Sequence, residues 1–278
     1  MHLKKVWKNY LNNFLITLIL VLVWNINTYA DEDVLCNEPK CDKKYNDFTI
    51  TRFIEAKEKS DKPILFWLSG GSGQRLTSDP LQEVEGKNDL IVMMNPYDML
   101  KNSVQRDDGA SPQAYLPDQA DRIKSIIKFY KVKYNNKDIW LGGQSFGAAR
   151  TLAYLTASPD NSKLISGIIL TGTAVGSYKN NVIKVPFNKI KDLNLPIAII
   201  HHIRDVCDTS HYKTALKVKD KLEKINLGKT EFISIEVGNL PNDTKCGGKT
   251  RDAKNHEFKD SKKELAEAVI KFINQNTK

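Results

Sequence analysis

Ser145 stands between two glycines in Gly143-Gln144-Ser145-Phe146-Gly147, a G-x-S-x-G pattern placed where an apolar run meets a helix-forming run. A serine hydroxyl is a poor nucleophile at neutral pH until a base takes its proton during attack, so the chemistry open to this residue is acyl transfer assisted by a histidine. Ile139, Trp140 and Leu141 read as the end of a short buried strand, and Phe146 to Ala157 has the small and apolar residues of a helix packed on a sheet. A strand that turns at once into a helix forces its turn residue toward strained backbone angles. Glycines two before and two after leave room for that close approach, and the hydroxyl is held out above the sheet. The competing reading is a glycine-rich turn in which Ser145 only caps the helix.

A base and an acid must then be found. Pro196 to Ile203, PIAIIHHI, reads as a buried strand followed directly by Arg204 to Ser210. In open α/β sheets ligands bind beyond the carboxyl ends of the strands, so Asp205 and Asp208 are both placed to orient a base, and Asp208 also suits capping of a helix that begins near Ser210. Of the five histidines, His2 lies in the N-terminal segment, His201 and His202 end a strand, and His211 sits in the first turn of a helix. His256 lies at the end of a long loop, just before a closing helix whose Leu265, Val269 and Ile273 share one face. The run Pro63 to Leu68 ends in Ser69-Gly70-Gly71-Ser72-Gly73, a loop whose backbone can approach a ligand without interference from Cβ atoms. It does not match the phosphate-loop pattern G-x-x-x-x-G-K-[ST].

From about Ile64 to Phe272 the chain resembles the α/β-hydrolase superfamily, and within it secreted, dienelactone-hydrolase-like bacterial proteins. The resemblance implies an α/β fold with a mostly parallel central sheet flanked by helices. It also implies the chain order serine, acid, histidine, and hydrolysis of carboxylic esters or related acyl compounds. It assigns the base to His256, and it favours Asp205 over Asp208 because the family's acid falls four positions after a histidine, here His201, although His202 replaces the usual glycine. It gives the oxyanion-hole amides to Gly71 and Phe146, with Ser69 standing where the family often has histidine. The reaction so implied needs no cofactor. A serine peptidase or amidase on the same scaffold, and a non-catalytic binding protein that retains the fold, are the alternatives.

The elements that must position these residues follow in order. Phe48 to Phe53 alternates as a half-buried strand, Pro63 to Leu68 and Leu90 to Met94 read as buried strands, and Ile123, Ile126, Ile127 and Tyr130 mark one face of a crossover helix starting near Pro117. Leu164 to Leu170 predicts another strand, and the segment Ala174 to Leu195, with several lysines and asparagines, predicts an irregular excursion, which by the resemblance is expected to cap the cleft. His211 to Ile225 predicts an amphipathic helix, and Thr230 to Val237 alternates as the last strand.

Composition sets the address. The 278 residues are 41% hydrophobic and 27% charged, enough for a full core in one domain. Residues 1–30 read instead as a secretory signal peptide, with Lys4, Lys5 and Lys8 before the apolar run Phe14 to Trp24 and cleavage expected after Ala30, leaving residues 31–278 as the catalytic domain. A run of eleven residues is short for a membrane span, so no stable membrane insertion is expected after cleavage. Loss of the three lysines lowers the formal charge from +9 to +6. The remaining lysines lie singly among carboxylates, without the aromatic-interleaved basic arm of a nucleic-acid binder. The expected partner is therefore a small-molecule or polymer-borne ester, in the periplasm or outside the cell; oligomeric state leaves no signal. Export would carry Cys36, Cys41, Cys207 and Cys246 into an oxidising compartment. Of the three possible pairings, Cys36 with Cys41 and Cys207 with Cys246 is preferred; the second, across a separation of 39 residues, is worth about 4 kcal/mol in the chain-entropy model. The cysteine spacing lacks the paired ligands of a zinc site, and no metal is expected.

Overall fold

The short run Ile64–Leu68 (β3) shows how the sheet is built. Ile64, Phe66 and Leu68 turn to one face and Leu65 and Trp67 to the other, and all five are fully buried. A strand buried on both faces must be apolar at every position, which is why this sequence does not alternate. The computed structural model describes residues 31–36, 48–55, 62–70, 80–81, 90–95, 116–135, 137–175, 177–178, 181–182, 185, 187–190, 193–238, 241 and 253–277, with backbone alone for 31–36, 48–55, 90–95, 116–119, 177–178 and 181–182. The expected signal segment, residues 1–30, lies outside them.

Eight strands form one sheet in the order β1-β2-β4-β3-β5-β6-β9-β10. The first two are Asp31–Cys36 (β1) and Phe48–Glu55 (β2), and β2 runs antiparallel to Leu90–Asn95 (β4). From β4 onward every neighbouring pair is parallel, through β3, Ile139–Gln144 (β5), Gly167–Thr171 (β6), Ile197–His202 (β9) and Thr230–Ile235 (β10). The chain moves from β3 outward to β4, then returns through the helix Leu116–Lys133 (α1) to lay β5 on the opposite side of β3. The loops leaving β3 and β5 therefore part at one point, the crevice where open α/β sheets bind ligands.

The helices Phe146–Ala157 (α2) and Tyr212–Glu223 (α3) share one face of the sheet with α1. Ile123, Ile126, Ile127, Leu152, Ala215, Val218 and Leu222 pack there with the even-numbered residues of β3. The last helix, Lys262–Asn276 (α4), covers the other face with Leu265, Ala266, Val269, Phe272 and Ile273. There Trp140 meets the Phe272 ring edge-on at 5.8 Å between centroids. These positions recur every three or four residues, so the periodicity read from the sequence is the periodicity of burial.

Three expectations shift. The strand expected over Leu164 to Leu170 begins only at Gly167, because Pro159–Leu164 forms a 3-10 helix whose Asp160 amide donates to the Ser158 hydroxyl. A proline at the first turn and a serine before it favour that start over an extended chain. The excursion after β6 is not wholly irregular: Ser177–Tyr178 (β7) pairs with Asn181–Val182 (β8), and Ile190, Leu193 and Leu195 are buried in the core shared by α2 and α3. Its last third thus seals the helical face, and any cap is confined to the residues before it. Finally, β1 forms where the sequence predicts no strand, since DEDVLC has neither a continuous apolar run nor a clean alternation.

Gly167 gives a test of this packing. A Cβ there would collide with the Trp140 ring, which Phe272 backs and which therefore has nowhere to go. Gly167→Ala is expected to lower unfolding free energy by about 1–3 kcal/mol in urea titration, at the end of the sheet remote from Ser145.

Candidate active site

Ser145 occupies the junction of β5 and α2 with φ 56° and ψ −116°, a left-handed backbone conformation for a residue with a side chain. Such strain costs on the order of 1–3 kcal/mol and persists only where neighbours over-determine it. Here they do. The Ser145 amide donates to the Thr171 carbonyl on β6 at 2.9 Å, and its carbonyl accepts from Ala149 at 3.3 Å and Ala174 at 3.2 Å. Added Cβ atoms at Gly143 and Gly147 would strike the backbone of Gly147 and of Leu68, so the pattern's two glycines answer to steric contact. The Ser145 side chain makes no capping bond to α2, which removes the reading of Ser145 as a helix cap.

Its Oγ instead lies 2.9 Å from His256 Nε2, and His256 Nδ1 lies 2.8 Å from Asp205 Oδ2. Ser145, His256 and Asp205 are 6%, 3% and 0% exposed, so the three are buried together. An ionised carboxylate at that distance requires the proton on Nδ1. Nε2 then presents its lone pair to the serine hydroxyl, the arrangement needed for proton removal during attack.

Asp205, rather than Asp208, meets His256 because of where β9 ends. Its amide donates to His202 O at 3.0 Å, and this turn carries the carboxylate beneath the imidazole. Burial is the largest single influence on the Asp205 carboxyl and pushes its pKa up. The positive charge of His256, the His201 hydrogen bond and the His256 hydrogen bond together outweigh it, and hold the group below the usual carboxylate range. Cys207 N and the Ser210 hydroxyl also donate to Asp205 Oδ1, at 3.0 and 3.3 Å. Asp208 is exposed, and the cap of α3 is not Asp208 but the His211 ring, whose Nδ1 accepts from Lys213 N at 3.1 Å.

The histidine loop is held from three sides. Gln144 donates from Nε2 to the His256 carbonyl at 3.0 Å. Gly172, at φ +48°, leaves room for the His256 ring, since a Cβ there would stand 3.2 Å from Cε1. Phe258, with φ 52°, is fully buried and meets the His202 ring edge-on at 6.4 Å. His202 in turn accepts from Arg204 N through Nδ1 and donates through Nε2 to Val237 O.

Phe146 is the first residue of α2, so its amide belongs to those a helix leaves without an internal acceptor, next to Ser145. Gly71 lies outside the described residues. Gly70 is described, and a Cβ on it would come within 3.2 Å of Ser145 Cβ, so the loop leaving β3 passes directly beside the serine. Arg150 is buried on α2 and ties that helix to the same loop by donating to Ser69 O at 3.1 Å. Cys207 is buried and disulfide-bonded, whereas the side chains of Cys36, Cys41 and Cys246 lie outside the described residues. Among the described residues no cluster of His, Cys, Asp and Glu could hold a metal ion, and no helix is long and apolar enough to cross a membrane.

Gln144, His201 and Ser210 were not picked out as partners from the sequence. Gln144 is a variable position of the pattern, and the sequence marks His201 as a strand-end histidine and as the start of the interval to Asp205, without fixing its partner. Nothing in the order of residues puts the Ser210 hydroxyl against His256.

No family model matches the chain, and no curated protein does. Solved structures do. The esterase Est22 superposes with a TM-score of 0.61 at 12% identity, over 88% of this chain and 80% of that one. Dienelactone hydrolase from Anabaena variabilis gives 0.58 at 10%, over 90% and 99%. Est1E from Butyrivibrio proteoclasticus, with ferulic acid bound, gives 0.56 at 12%, over 82% and 95%. At these identities the likeness establishes the fold.

The buried carboxylate sets a pH dependence. A group whose folded pKa is depressed contributes stability that is fully present above its unfolded pKa, about 3.9 for aspartate, and is lost as pH falls below it. Urea midpoints of the native protein and Asp205→Asn should therefore differ most near neutrality and converge on acidification from about pH 5 downward.

Proposed function

We propose that this chain, built on the α/β-hydrolase fold, is a serine hydrolase that cleaves carboxylic esters through an acyl-serine intermediate. The observation that carries the reading is the unbroken series Ser145 Oγ, His256 Nε2, His256 Nδ1 and Asp205 Oδ2, with links of 2.9 and 2.8 Å, on a serine held at positive φ. Ser145 Oγ attacks the ester carbonyl carbon while His256 Nε2 takes its proton. The carbonyl oxygen becomes an oxyanion, stabilised by the Phe146 amide and an amide from the loop after β3, for which Gly71 is the proposed donor. Collapse breaks the bond to the alcohol oxygen, which leaves with the proton from Nε2. Water then attacks the acyl-serine by the same route, so one ester and one water give one acid and one alcohol. Asp205 remains ionised throughout and stabilises the imidazolium.

The substrate proposed is a small-molecule or polymer-borne ester, and the site of action is outside the cytoplasm. The signal-like residues 1–30 and the bonded Cys207 support export. Pairing of Cys207 with Cys246 would join the acid loop, whose Cys207 amide holds Asp205, to the histidine loop. Non-reducing peptide mapping should recover a Cys207-to-Cys246 crosslinked peptide; a different partner for Cys207 would remove this tie.

An organophosphonate is expected to label Ser145 in the native protein and to leave Ser145→Ala unlabelled. Ser145→Ala and His256→Ala should lower kcat toward short-chain aryl esters by at least about 10³-fold with the fold intact by circular dichroism. A folded, unlabelled native protein would overturn the reading.

A further inference from the structure

Ser210 closes a triangle that a three-membered site does not require. Its Oγ lies 2.8 Å from His256 Nδ1 and 3.0 Å from Asp205 Oδ2, while His256 Nδ1 and Asp205 Oδ2 are themselves 2.8 Å apart. The residue is fully buried, so no water competes for these bonds. Its backbone is already engaged: the amide donates to Cys207 O at 2.9 Å, and the carbonyl accepts from His201 Nε2. The turn would stand without the hydroxyl, and the position of that hydroxyl calls for another account.

We propose that Ser210 is a positioning residue for His256, a fourth member of the relay that fixes the imidazole by accepting from Nδ1–H while donating its own proton to Asp205. The direction of each bond follows from charge. Asp205 is anionic and can only accept, so the Ser210 proton turns toward it, leaving the oxygen lone pairs facing Nδ1. The Nδ1 proton is then shared between a carboxylate oxygen and a hydroxyl oxygen. A neutral imidazole could instead keep its proton on Nε2 and accept at Nδ1 from Ser210, and that tautomer could not take the proton of Ser145. With the Ser210 proton committed to Asp205, the unproductive tautomer has no donor at Nδ1.

His201 makes the commitment stronger. Its Nε2 stands 3.1 Å from Asp205 Oδ2 and also reaches the Ser210 carbonyl, so one imidazole braces the acid and the serine's backbone together. His201 Nδ1 has no hydrogen-bond partner among the described residues. Nε2 faces two acceptors, the Asp205 carboxylate and the Ser210 carbonyl, so it carries a proton and serves Asp205 as a fixed donor. Imidazolium formation at His256 then meets a carboxylate and a hydroxyl dipole already oriented, with no reorganisation when the proton arrives.

This inference rests on the serine-hydrolase reading, and its test separates the two. In the full-length protein, Ser210→Ala is expected to slow phosphonylation of Ser145 and to lower kcat for ester hydrolysis about tenfold, with KM changed less than about twofold. The Nδ1–H resonance of His256, followed by proton NMR in the unlabelled protein, should move upfield in Ser210→Ala and return in Ser210→Thr, which keeps the hydroxyl. A merely structural serine would alter the unfolding midpoint and leave that resonance in place. A folded Ser210→Ala protein with an unmoved resonance, an unchanged labelling rate or a loss confined to KM overturns the inference. Absence of labelling in the native protein overturns the serine-hydrolase reading, while the resonance still decides whether Ser210 holds the ring.

Discussion

The structure depends on a reversal made in a single residue. At Ser145 the chain leaves a fully buried strand and enters a helix packed on that same sheet, and the only backbone that makes both connections has positive φ. Gly143 and Gly147 are consequences, because the helix returns so tightly that their Cα hydrogens face backbone. So is the approach of the loop leaving β3, which Gly70 brings against Gln144 and Ser145. The strain is offset by hydrogen bonds to β6 and to the segment beyond it, each worth about 1 kcal/mol net. The elbow is therefore held by the sheet rather than by its own sequence, and the serine hydroxyl is left with no structural duty.

A second constraint is the burial of Asp205. An isolated carboxylate without water would be driven to its neutral form, and a neutral acid could not hold the imidazole in the tautomer needed. The end of β9 meets this with a dense set of donors: two imidazoles, a serine hydroxyl and the Cys207 amide. Both imidazoles come from buried positions, so solvent screens neither contact. Removing one partner from such a group costs more than its mean hydrogen bond, because the others remain arranged for a charge. Stability and site geometry here share the same atoms.

The sheet was legible because a strand covered on both faces has to be apolar throughout and a helix covered on one face has to repeat. Ile64–Leu68 and the first four residues of β9, Ile197 to Ile200, satisfy the first condition, and Ile123, Ile126, Ile127 and Tyr130 the second. The edges were less legible. Asp31–Cys36 carries no continuous apolar run, whereas β10, partly buried at most positions, is read from its alternation alone. Ser145 was marked by its glycines, His256 by its loop, and the acid by the end of a strand, all consequences of backbone path. The resemblance favours Asp205 over Asp208, three residues on, by the interval from His201, and the turn at His202 buries the first and leaves the second exposed. Gln144 and Ser210 left no trace, since their contacts span 112 and 46 residues and depend on rotamers that no local pattern encodes.

The two faces of the sheet divide these tasks. The α1, α2 and α3 face is continuous with the elbow, and its packing sets where α2 begins and hence where the Phe146 amide points. The α4 face carries Phe258 and the helix that follows the histidine, and Trp67 and Trp140 fill the space between that helix and the strands. His256 therefore reaches Ser145 from an element packed on the opposite layer, across the carboxyl ends of β5, β6 and β9. The contact between Oγ and Nε2 therefore rests on the packing of both side-chain layers, and close-packed interiors have low compressibility. A site bridged in this way gains precision from the core.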